Sequence, residues 1–300
     1  MERVSATELM IRQRVAALAR ALPGARRGEA AAVHHARVAT RRLREALPLV
    51  GACGTSARKL SRTVRRLTQA LGPVRELDVA LATLDQLHTA GDVPRAAVDC
   101  LAEAIVDERT PLHTELVRRV DRLDMEKLRD RAVSAARRAA KKQRPQRPRD
   151  PERVAAARAR AGRRAVRLES AIEAAAGIYL PERLHQVRIA VKKLRYALEI
   201  ARELSGSRAV ARISALKRVQ DLLGRLHDLE VLIARTRALQ ASAKAPNLRL
   251  SADLDRLVRR LENECRQLHG RYMAGRPALL TICERVRHEA ESPRTRASAA

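Results

Sequence analysis

The chain has 300 residues, 46% of them hydrophobic, with a formal net charge of +28. That apolar share supports a real core, but Phe and Trp are absent and Tyr occurs three times, so the core must come from Leu, Val, Ile and Ala, which suits closely packed helices. The charge calls for a polyanionic partner, the shortage of aromatics counts against a single-strand binder that stacks bases, and no membrane-length apolar run or signal-peptide pattern opens a route to a membrane-embedded or secreted protein.

In chain order, residues 5–22 read as an amphipathic helix with Leu9, Val15, Leu18 and Leu22 on one side, ended by Pro23-Gly24. A second helix begins near Glu29 and weakens at Pro48, with Gly51 and Gly54 in the turn. A third is expected over 56–71, with Arg58, Arg62, Arg65 and Gln69 on one face and Leu60, Val64, Leu67 and Leu71 on the other. Gly72-Pro73 should break it, with a fourth helix over 74–87 and a boundary at Gly91 and Pro94. Helices over 95–120 and 125–141 follow. Residues 141–154, KKQRPQRPRDPERV, read as a linker or exposed arm dividing the chain into halves 1–145 and 146–300. Helices resume over 152–177, 181–204, 208–223, 227–240, 250–270 and 278–290, and the tail from Ser292 is polar. No strand signal appears, so the fold class is all-α.

One stretch recurs. Residues 34–44, HHARVATRRLR, return as 185–195, HQVRIAVKKLR, offset by 151 at every matched position. On a helix His34, Arg37, Arg41 and Arg44 fall within about 80° of arc, with Ala36, Ala39, Leu43, Ala46, Leu47 and Val50 opposite. The second copy sorts identically, with His185, Arg188, Lys192 and Arg195 on one face and Val187, Ala190, Leu194, Ala197, Leu198 and Ala201 on the other. Cations at i,i+3 and i,i+4 repel one another, whereas an ordinary exposed helix mixes in carboxylates, and neither arc holds one. A shared polyanion accounts for both. The third helix adds a second basic wall, matched more thinly by Lys217 and Arg218, since Ser214 stands opposite Arg62.

A second repeat supports the first. Leu71-Gly72 followed by Glu76 and Asp78 returns as Leu223-Gly224 followed by Asp228 and Glu230, offset by 152. Together these two ordered motifs resemble the signature of the CHAD domain, the conserved histidine α-helical domain, over residues 30–289. The resemblance implies two pseudo-symmetric helical bundles forming one domain, and inorganic polyphosphate bound in a basic groove between them. Many relatives carry the domain after a triphosphate-tunnel (CYTH) domain. No segment of this sequence shows that domain, so a standalone, non-catalytic protein is expected. The residues expected to bind polyphosphate are His34, Arg37, Arg41, Arg44, Arg62, Arg65, His185, Arg188, Lys192, Arg195 and Lys217.

Each feature admits a second reading. The motif histidines fit either a phosphate donor or a helix-end residue bonded to a loop; no second His or Cys stands at ligand spacing, so no metal or cofactor is expected. The repeated acidic pairs fit a Mg²⁺ site for hydrolysis or, better, salt bridges holding the motif arginines. Gly72 and Gly224 read as helix C-caps, there being no P-loop pattern. A nonspecific nucleic-acid-binding protein and a metal-dependent polyphosphatase are the alternatives. Arg outnumbers Lys 54 to eight, and its fork suits phosphate. Cys53, Cys100, Cys265 and Cys283 form no CxxC pair, which fits free thiols in a reducing, cytoplasmic setting, with polyphosphate granules as an associated location.

Overall fold

The computed structural model of the protein describes residues 6–50, 55–91, 93–141, 151–175, 177–205, 209–242 and 248–291. The expected turn at Gly51 and Gly54, Cys53, the linker residues 142–150 and the tail from Ser292 lie outside them. The described residues form nine α-helices and no strand: α1 (Ala6–Arg26), α2 (Ala30–Ala46), α3 (Thr55–Ala90), α4 (Arg95–Asp121), α5 (Met125–Lys141), α6 (Pro151–Ala174), α7 (Pro181–Ser205), α8 (Val210–Gln240) and α9 (Leu248–Glu291), with a short 3-10 turn (Leu47–Val50) after α2.

Four of these helices run through residues expected to stop them. Helix α1 continues past Pro23-Gly24, α3 past Gly72-Pro73, α8 past Gly224 and α9 past Gly270 and Pro277. Pro23, Pro73 and Pro277, together with Pro111 inside α4, all sit on exposed positions. There the carbonyl that loses its N–H partner can turn to water, so the helix tolerates the missing bond. Three of the turns that end helices use glycine in the left-handed region: Gly28 at φ 84°, Gly91 at 72° and Gly177 at 88°.

The chain forms two compact units. The first comprises Met1–Pro145 with Leu226–Arg266, and the second Gln146–Arg225 with Gln267–Ala300. Helices α8 and α9 thus contribute residues to both. In the first unit α1 packs on α2 and α5, and α3 packs on α2 and α4. Two clusters make up part of its core. One gathers Ile11, Val15, Leu43, Leu60, Val64 and Leu128 with Ala132 and Ala136. The other gathers Leu18, Leu22, Val33, Ala36, Ala39, Leu67, Leu71, Val74 and Leu116. In the second unit α6 packs on α7. Helix α6 buries Ala157, Ala161 and Ala165 at every fourth position, then Leu168 and Ile172, while α7 buries Leu184, Val187, Val191, Leu194 and Leu198. Small residues in that stripe let the helix axes approach closely without aromatic filler.

Candidate polyanion-binding faces

The apolar stripe of α2 fixes its charged face. Ala36, Ala39, Leu43, Ala46 and Leu47 are all buried, which turns His34 and Arg44 to solvent and leaves Arg37 and Arg41 half-buried. Helix α3 behaves alike: Leu60, Val64, Leu67 and Leu71 are buried, and Arg58, Arg62, Arg65 and Gln69 are exposed. Because α2 and α3 pack together, the two basic surfaces meet. An ideal Cβ built on Gly72 of α3 would lie only 2.7 Å from Nη1 of Arg37. Arg75 of α3 acts on His34: partial desolvation, then Arg75, His35 and Arg37, hold that imidazole below the ordinary histidine pKa. The rings of His34 and His35 stand edge to face, 5.8 Å apart.

Arg75 is a cation that the eleven-residue motif did not reveal. It lies in the second repeat, and the same 152-residue offset pairs it with His227. Reading both repeats for basic residues, rather than for Gly and acids alone, would have found it.

The face of α7 is set the same way. Val187, Leu194, Ala197, Leu198 and Ala201 are buried and Ala190 half-buried, so His185, Arg188, Lys192 and Arg195 share the other side, each half-buried, with Lys217 exposed on α8. The electrostatics differ from those of α2. Arg195 pairs with Glu199 one turn along, donates from Nε to Gln220 Oε1 at 3.0 Å and lies 4.5 Å over the Tyr196 ring; its side chain is only 12% exposed. On α8, Arg212 pairs with Glu289 of α9 at 2.8 Å.

The acidic pair of the first unit serves arginines outside the motif, which corrects the expectation that it would hold motif arginines. Asp78, with 2% of its side chain exposed, accepts from Arg109 Nε of α4 at 2.7 Å. Arg109 Nη2 also donates to the Gly28 carbonyl at 2.8 Å, and His113 Nε2 lies 3.2 Å from the Ala25 carbonyl. Two residues of α4 thus hold the turn from which α2 starts. Glu76 meets Arg235 of α8 at 3.6 Å, and Arg235 also pairs with Glu108. Among the described residues no cluster of three or more His, Cys, Asp or Glu could hold a metal ion. The described cysteines Cys100, Cys265 and Cys283 form no disulfide. Among the described residues no helix is long and apolar enough to cross a membrane.

The CHAD domain family model matches residues 9–237. The chain is similar to the crystal structure of the CHAD domain from the plant Ricinus communis, with a TM-score of 0.60 and 20% identity over 96% of this chain and 91% of that one. It is also similar to PptA from Streptomyces chartreusis, with a TM-score of 0.62 and 15% identity over 90% of this chain and 97% of that one. At these identities the likeness is one of fold. No curated protein sequence matches.

Proposed function

The chain belongs to the CHAD domain family, and from that premise we propose that it binds inorganic polyphosphate on the cationic faces of its motif helices and holds the polymer without cleaving it. The observation that carries this reading is the surface where α2 meets α3. Residues 55–75 contain Arg58, Lys59, Arg62, Arg65, Arg66 and Arg75 and no carboxylate, and the five of these at 58–66 are all exposed. This stretch of α3 lacks the i,i+4 acids that make a solvated helix self-compensating. It offers repeated charge-assisted donors, mostly guanidinium forks, to a linear series of phosphates. It is poorly furnished for bases: three Tyr are the only aromatic residues of the chain apart from His, and Gln69 is the one side-chain amide on the exposed face of α3. Against hydrolysis stands the use of Asp78 and Glu76 by Arg109 and Arg235, which leaves that acidic pair committed to the scaffold.

The test sets long polyphosphate against duplex DNA for the full chain, at equal phosphate concentration and near-physiological salt. Polyphosphate should win clearly, and no orthophosphate should be released with Mg²⁺ or Mn²⁺ present. Equal competition by DNA would favour a general nucleic-acid binder. Release of phosphate that stops in a folded Asp78→Asn variant would make the protein a polyphosphatase.

A further inference from the structure

Gly72 and Gly224 each sit well inside a helix, α3 and α8, in ordinary helical conformation, since only Gly28, Gly91 and Gly177 have positive φ among the described residues. A glycine there makes a helix less stable than an alanine would, so each position needs a reason other than backbone freedom. At Gly72 the side chain it faces supplies one. An ideal Cβ on Gly72 would lie 2.7 Å from Nη1 of Arg37, and one on Gly224 would lie 3.9 Å from both Nε and Nη2 of Arg188. Arg37 and Arg188 are the first arginines of the two motifs, and the two glycines are partners in the second repeat. The same glycine–arginine pairing therefore occurs once in each compact unit, built from different residues.

We propose that Gly72 is a positioning residue that seats the guanidinium group of Arg37 on the bare surface of the neighbouring helix, fixing where that fork meets phosphate, while Gly224 beside Arg188 is a looser counterpart with room for a methyl group. This rests on the polyphosphate reading. The two seats differ in tightness. At Gly72 a methyl group cannot coexist with the present Arg37 Nη1, and since the obstacle is the far end of a flexible side chain, the arginine moves and the helix stays. At Gly224 a methyl group falls at ordinary van der Waals distance.

Pro73 complicates one arm, because a Cβ just before proline is disfavoured in a helix. The exposed Pro73→Ala variant is therefore the reference for Gly72. In the full chain carrying Pro73→Ala, adding Gly72→Ala should weaken binding of long polyphosphate by about three- to tenfold, the range of a disturbed charge-assisted contact. The melting temperature should hold or rise, because alanine is the better helix former. Once Arg37→Ala is also present, Gly72→Ala should change affinity no further. Gly224→Ala alone should keep affinity within about twofold and raise the melting temperature. The inference is overturned if Gly72→Ala leaves affinity untouched, if it weakens binding equally with and without Arg37, or if it unfolds the protein, since glycine would then be serving the backbone. Failure of the unmodified chain to bind polyphosphate overturns the proposed function first and this inference with it.

Discussion

At the scale of single residues, matched motif positions have separate fates. Arg44 and Arg195 are equivalent in sequence, yet Arg44 is exposed while Arg195 is enclosed by Glu199, Gln220 and Tyr196. All three partners differ in the first copy: Pro48 stands where Glu199 does, Glu45 where Tyr196 does and Thr68 where Gln220 does. Arg44→Ala should therefore weaken polyphosphate binding without changing stability. Arg195→Ala should destabilise the fold by about 1–3 kcal/mol, the range for a lost hydrogen bond to a charged group, with a smaller effect on binding. Urea titration and a binding isotherm on each variant check the contrast. His34 gives a pH signature. Its pKa in the free protein lies below the ordinary value because of desolvation and nearby cations, whereas a bound polyanion favours imidazolium and raises it. Binding then takes up a proton. Affinity should rise as pH falls through the interval between the bound and free values and level off below the free one. The double variant His34→Ala/His185→Ala should lose that rise; an unchanged profile would make the histidines structural.

At the scale of helices, the charged and apolar faces were legible in the sequence, because burial of Leu43, Leu60, Val64 and Leu194 leaves the cations no other side. The helix ends were less so. Gly72-Pro73 and Pro277 read as breaks, but local propensity is a weak signal when an exposed proline can lose one hydrogen bond to water and the helix buries leucines on either side. The sequence identifies Glu76 and Asp78 as ion-pairing residues but misassigns their partners to the motif, because Arg109 lies 31 residues from Asp78 and only folding brings them together. That contact ties α3 and α4 to the turn before α2. Asp78→Ala should cost about 3 kcal/mol or more, as expected when one member of a buried ion pair is removed. It should also loosen the start of the motif helix. Chemical denaturation measures the first effect, and faster amide exchange near Ala30 to Val33 the second; a neutral substitution would mean that Arg109 finds water instead.

At the scale of the whole molecule, binding should depend on ligand length. From His34 to Arg44 α2 rises about 15 Å, at 1.5 Å per residue, and α3 runs a basic face of similar length beside it. Such a surface is a track, so orthophosphate meets few cations and binds weakly. Each added phosphate should strengthen binding and steepen its salt dependence as more counterions are released, until the track is filled. Beyond that length the salt slope should stay constant. Isotherms for defined-length polyphosphates at several salt concentrations test this: a slope that steepens without limit would point to charge spread over the entire surface, and equal affinity for orthophosphate would remove the track altogether.

The closeness of Arg195 to the Tyr196 ring has an optical consequence. With no tryptophan in the chain, ultraviolet emission comes from Tyr179, Tyr196 and Tyr272 alone, and all three belong to the second compact unit. The first unit, which carries the acid-free cationic stretch of α3, is spectroscopically dark. Fluorescence followed during a titration therefore watches one half of the molecule, through a chromophore with a guanidinium already resting on its face, while calorimetry registers both. A polymer that settles first on the dark half releases its heat before any light changes, so the lag between the two signals would give the order in which the halves are occupied without a label being attached to either.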